Sequence, residues 1–246
     1  MNTVRTVSDT KRSFYSTHTR PINTIYRRVV EELMVEMHLL SVNTDFGYNP
    51  IYALGVVTSF ERFMQGYQPE RDKDPIFQAL CQAVGSDPGQ YRQDAERLGT
   101  FAKGLSAQEL MQWLSGTSHR DGYDDLQEQI KVIASNPNFK YSRLFAIGVF
   151  SLLELADPEL VQDEKQRVDA LKEVAASLHL PEDKLNKDLE FYRGNVEKMN
   201  QALIVMADML AAERKKRQKR SDERNAATVA VNQSPDTPQD TASPGS

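Results

Sequence analysis

Phe145-Ala146-Ile147-Gly148-Val149-Phe150-Ser151-Leu152-Leu153-Glu154-Leu155-Ala156 is an apolar run broken by two polar side chains, Ser151 and Glu154. A bilayer crossing takes about 20 such residues, so the run is too short to span a membrane. Read as a helix from Tyr141 to Leu155, it places apolar side chains on several faces rather than on one stripe. That is the pattern of a helix enclosed by others. The run is therefore predicted to be the most buried helix of the molecule, and the rest of the chain has to supply its surroundings.

Outward from this run the apolar spacing is helical almost everywhere. Pro21 opens a helix in which Ile22, Ile25, Tyr26, Val29, Val30, Leu33, Met34, Met37 and Leu40 share one face. Asn43-Thr44-Asp45-Phe46-Gly47-Tyr48-Asn49 has turn composition, and Pro50 starts a further helix through Ile51, Leu54, Phe60 and Phe63. Nearer the N-terminus, Ser8 is the expected cap of a short helix that presents Phe14 and Tyr15. Asp74-Pro75 and Asp87-Pro88 repeat one device, a capping aspartate followed by proline at the first helical position. Ser106-Ala107-Gln108-Glu109 is a capping box, and a polar loop then leads to Leu126, Ile130 and Ile133 at helical spacing. Beyond the central run, Asp157-Pro158 reopens a helical pattern through Val168, Leu171, Ala175 and Leu178. No stretch alternates with period two for long. The fold class is all-α, a multi-helix bundle.

One more helix is of a different kind. Leu185, Leu189, Tyr192, Val196, Met199, Leu203, Met206 and Leu210 recur at steps of four and three, the average of a supercoiling helix. Carried to Arg217, it reaches roughly 50 Å at 1.5 Å per residue, longer than a compact domain of this size needs. It ends in Arg214-Lys215-Lys216-Arg217-Gln218-Lys219-Arg220, after which Ser, Thr, Pro, Asp, Asn and Gln dominate. The expected organisation is a helical domain over residues 1–180, a long coiled-coil-like helix over 181–220 and a disordered tail over 221–246.

Composition narrows the function classes. With 39% hydrophobic residues, 26% charged residues and a net charge of -5, nucleic acid is not the expected partner. The single cysteine, Cys81, excludes an internal disulfide and sits among Phe77, Leu80 and Val84 as a buried structural thiol. His18, His38, His119 and His179 lie far apart, and none pairs with another His or Cys at metal-ligand spacing. Ser8-Asp9-Thr10-Lys11 matches Ser-x-x-Lys formally but lacks the companion elements of β-lactamase-like enzymes. No catalytic residue, cofactor or metal site is predicted. The chain reads as an interaction protein.

Two surfaces of the long helix are the candidates. Met199 on the seam, and Leu203, Met206, Met209 and Leu210 in an apolar girdle, Ala202 to Ala212, would be left exposed by a helix alone in water. They are the predicted contact for a partner, with self-association left open beside a foreign protein. Arg214, Lys215, Lys216, Arg217, Lys219 and Arg220 either form a solvated helix end or meet an anionic membrane surface.

Several ordered blocks carry a likeness. Thr6-Val7-Ser8-Asp9-Thr10-Lys11-Arg12-Ser13-Phe14 resembles the opening of the thylakoid formation family. So do Pro21-Ile22-Asn23-Thr24-Ile25-Tyr26-Arg27-Arg28-Val29-Val30-Glu31-Glu32-Leu33 and Tyr52-Ala53-Leu54-Gly55. Phe60-Glu61-Arg62-Phe63-Met64 with Gly66-Tyr67, and Asp74-Pro75-Ile76-Phe77, continue it. The resemblance implies a non-enzymatic accessory protein of oxygenic phototrophs, associated with thylakoid membrane organisation and with photosystem II biogenesis and repair. On that basis the expected partners are the membrane-bound FtsH protease complex and photosystem II assembly intermediates, with the thylakoid membrane surface as a further contact. The expected place is the cytoplasmic side of the thylakoid membrane, held peripherally, with a soluble cytoplasmic pool. With no transit peptide expected ahead of Thr3, the chain resembles the cyanobacterial rather than the chloroplast-targeted members. No role is carried onto the tail.

Overall fold

In a computed structural model, backbone is described for residues 5–231 and side chains for residues 5–220. The elements, in chain order, are α1 (Val7–Thr17), α2 (Thr24–Ser41), α3 (Pro50–Phe63), α4 (Lys73–Ala83), α5 (Pro88–Lys103), α6 (Ala107–Leu114), α7 (Asp124–Ser135), α8 (Arg143–Ala156), α9 (Pro158–Gln162), α10 (Glu164–Ser177) and α11 (Glu182–Val231). Among the described residues there is no strand. The chain divides into two units, Met1–Glu197 and Lys198–Ser246. The first unit takes in the opening turns of α11. That helix continues to Val231, past the Arg220 limit set by composition, and residues 232–246 of the expected tail lie outside the described ones.

α8 is the central helix of the first unit. The Ser142 hydroxyl caps it by accepting from the Phe145 amide at 3.1 Å, and every residue from Leu144 to Leu153 is buried. Its main neighbour is α3, which Asn49 caps by accepting from the Tyr52 amide at 2.9 Å. Two glycines make that contact possible. A Cβ on Gly55 would lie 1.8 Å from the Leu144 carbonyl oxygen, and one on Gly148 would lie 1.9 Å from the Ile51 carbonyl oxygen. Each glycine thus faces backbone one turn away from the other, and no side chain fits at either position. α5 covers both helices, while α1 packs on α4 and α2.

One ion pair ties α8 to a neighbouring helix and another joins α3 to α8. Arg143, at the start of α8, meets Glu36 of α2, and Arg62, near the end of α3, meets Glu154 near the end of α8.

Several helix starts differ from those predicted. Thr6, not Ser8, caps α1: its hydroxyl accepts from the Asp9 amide at 3.2 Å, and the Asp9 carboxylate accepts from the Thr6 amide at 3.1 Å. Ser8 lies inside the helix, two residues past the cap. Asn23 caps α2 two residues after Pro21. Asp74 does not cap α4, because a short turn of 3-10 helix over Glu70–Asp72 feeds directly into Lys73. By contrast Asp87, Ser106 and Asp157 cap as expected.

Cys81 is fully buried on α4, and burial pushes its thiol up to about 12. Tyr192 of α11 is likewise buried and its hydroxyl is pushed up to about 12.

Two outcomes are expected. Gly55→Ala or Gly148→Ala should cost about 3 kcal/mol or more, since the added methyl meets backbone rather than a movable side chain. Gly194→Ala, in open space on α11, should instead add up to about 1 kcal/mol; urea titration followed by circular dichroism distinguishes the two classes. The folded chain also holds the Cys81 and Tyr192 protons more tightly than an unfolded one, whose ordinary values are about 8.5 and 10. That contribution is complete below about pH 8.5 and is lost as pH rises toward about 12. The urea midpoint should therefore fall across this alkaline window, and less steeply in Cys81→Ala.

Candidate interaction surfaces

The first turns of α11 belong to the core of the first unit. Leu185, Leu189 and Tyr192 are buried, and the Tyr192 ring meets Phe63 edge-on with centroids 5.8 Å apart. The Tyr141 hydroxyl donates to Asp188 at 2.9 Å, while the Lys184 ammonium sits 4.6 Å from the Tyr141 ring centroid. Burial, followed by the Asp188 carboxylate, holds the Tyr141 hydroxyl well above its ordinary value. Packing within the unit therefore accounts for this end of the seam.

Further along, burial fades while the 3-4 spacing continues. Val196 is half-buried, Met199 is 8% exposed, and Leu203 and Met206 are half-buried. Met209 and Leu210 are 65% and 55% exposed. Ile204 and Val205, which the seam spacing passes over, are 62% and 57% exposed. Of the five predicted contact residues, Met209 and Leu210 lie fully on the open surface and Met199 does not. The open apolar patch is Ile204, Val205, Met209 and Leu210. A periodicity reading selects one row of a helix, whereas exposure is set by what covers each row. Arg214, Lys215, Lys216, Arg217, Lys219 and Arg220 are all exposed, within two turns of helix.

The first unit also carries a groove of about 990 Å³ that the sequence reading did not anticipate. Leu39 and Phe191, both more than half exposed, contribute apolar surface to it. Its charges are largely matched within the chain: Lys11 with Glu31 at 2.8 Å, Arg28 with Glu32 at 2.9 Å, and Arg143 with Glu36. Hydrogen bonds from Lys11 and from the Tyr15 hydroxyl hold the Glu31 carboxyl below the ordinary carboxylate range. The one sequence clue was the apolar Leu39 beside the face that Met37 and Leu40 share.

Among the described residues no group of three or more His, Cys, Asp or Glu side chains could hold a metal ion. No described helix is long and apolar enough to cross a membrane. The arrangement is suited to contact: an open apolar patch followed by a cluster of cations.

Comparison with known proteins gives the same region a context. A family model described as thylakoid formation protein matches residues 6–221, so it takes in the apolar patch and the cationic cluster. The chain is 70% identical to Protein Thf1 of Nostoc punctiforme over 226 residues, which is 92% of this chain and 96% of that protein. It is 66% identical to Protein Thf1 of Trichormus variabilis, over 95% of this chain and all of the relative. The solved structure described as Psb29 at 1.55 Å is similar at a TM-score of 0.75 and 43% identity, covering 87% of this chain and 99% of that one.

The two ends of the seam should respond differently to truncation. Leu189→Ala, at a buried position, should cost about 2–5 kcal/mol. Ile204→Ser and Met209→Ser should each change stability by no more than about 0.5 kcal/mol. Chemical denaturation of the three variants makes the comparison.

Proposed function

The chain belongs to the thylakoid formation protein family, and from that premise we propose that it is a non-enzymatic accessory factor for photosystem II biogenesis and repair. It binds a thylakoid membrane protein complex, the FtsH protease, from the cytoplasmic side and stabilises it by mass action. A partner present at about a hundred times its dissociation constant adds roughly 2.7 kcal/mol to the bound form. The observation that carries this reading is the patch of Ile204, Val205, Met209 and Leu210, each more than half exposed inside the family-matching region. Neighbouring large apolar residues left open on one helix mark a contact surface.

The cluster Arg214–Arg220 favours a second reading, peripheral contact with anionic thylakoid lipid. Both readings place the chain at the membrane without a spanning segment of its own among the described helices.

Affinity purification of the tagged chain from gently solubilised thylakoids should recover FtsH subunits. A variant combining Ile204→Ser, Val205→Ser, Met209→Ser and Leu210→Ser should lose most of that recovery. Absence of FtsH under conditions that keep the protease assembled, or undiminished recovery by the variant, would rule the reading out.

A further inference from the structure

The net charge of the chain conceals a strong division. Residues 1–197 hold 22 Lys and Arg against 29 Asp and Glu, whereas residues 198–220 hold seven against two. The first unit is therefore net acidic by seven charges, and residues 198–220 of α11 are net basic by five. An anionic bilayer repels the first and attracts the second, so any binding to such a surface has to be carried by the helix.

Val205, Met209, Ala212, Lys216 and Arg220 follow one another at steps of four, three, four and four, which places them on a single face. All five are exposed. The face is apolar at its beginning and cationic at its end. Asp208 flanks it on one side and Glu213 on the other, so neither acid of the stretch lies in the row itself. Arg214, Lys215 and Arg217 point to other sides at 100° per residue.

Resting on the lipid reading above, we infer that this row is the membrane-contacting face. Residues 205–220 lie along an anionic bilayer, with Val205 and Met209 at the headgroup boundary and Lys216 and Arg220 on the lipid phosphates. Apolar side chains in the boundary and cations on the anionic surface are the two components of interfacial helix binding. Long basic side chains keep their charge in the headgroup layer while their stems cover apolar surface. The occupant is a bilayer because the charge that the row presents is complementary to lipid phosphate. The first unit, being net acidic, has no such complement.

Flotation of the full chain with vesicles tests this without any protein partner present. Vesicles of phosphatidylcholine containing about 30% phosphatidylglycerol should carry the chain at low salt and release most of it at about 0.5 M, where screening reaches about 4 Å. Phosphatidylcholine alone should carry little. Each contacting cation is worth roughly a fivefold change in partition. The pair K216Q/R220Q should therefore weaken binding by roughly 25-fold, against no more than about fivefold for R214Q/K215Q, which removes the same charge from other sides. V205S/M209S should abolish the part of the binding that survives salt. Circular dichroism should show an unchanged melt for all three.

Equal losses from the two charge pairs would overturn the face assignment. So would binding to phosphatidylcholine alone as strong as to the anionic vesicles, or no flotation at all. Sedimentation equilibrium covers the remaining occupant: a dimer that V205S/M209S dissociates, with vesicle binding intact, would assign the row to a second copy. Failure in this assay leaves FtsH recovery untouched, so the two readings fall separately.

Discussion

The reciprocal approach of Gly55 and Gly148 is the constraint on which the first unit depends. Each glycine gives up roughly 1 kcal/mol of helix propensity relative to alanine. In return α3 and α8 come close enough for a carbonyl of each to occupy the space where the other's side chain would be. Close packing of this kind has few alternatives, because carbonyl oxygens one turn apart cannot yield as side chains do. The ion pairs of Arg143 with Glu36 and Arg62 with Glu154 then act near both ends of a contact that sterics have already defined.

That geometry determines where α11 can attach. Tyr192 meets Phe63 at the end of α3, and Asp188 and Lys184 meet Tyr141 just before α8. The opening turns of α11 therefore bridge the ends of the glycine-mediated pair and become part of its core. Beyond Glu197 the same helix carries large apolar residues that are open to solvent, and then a dense group of cations. Buried core residues and exposed apolar ones thus lie within one continuous element.

The structure separates features that local chemistry decides from those that it does not. Asp87, Ser106 and Asp157 cap where their neighbours predict, because a cap is a bond between residues two or three apart. Ser8 and Asp74 failed for a reason of competition. Thr6 offers the same chemistry with an acid three residues on, so the helix starts earlier. Asp72 is buried against Arg20, and the turn around it passes directly into α4 without an Asp74 cap. The groove beside Leu39 and Phe191 had almost no sequence signal, since its walls come from segments more than a hundred residues apart.

By itself the sequence determined the all-α class, the burial of Phe145 to Leu153, most helix starts and the presence of a long, unusual final helix. These follow from side-chain periodicity and from bonds to near neighbours, both of which are written along the chain. The order of buried and exposed residues on α11 was decided only by tertiary structure. Leu189 and Leu210 occupy equivalent positions in one repeating pattern, yet one is enclosed and the other open. Periodicity states which residues share a face of a helix. Burial also requires something to cover that face, and what covers it comes from elsewhere in the fold.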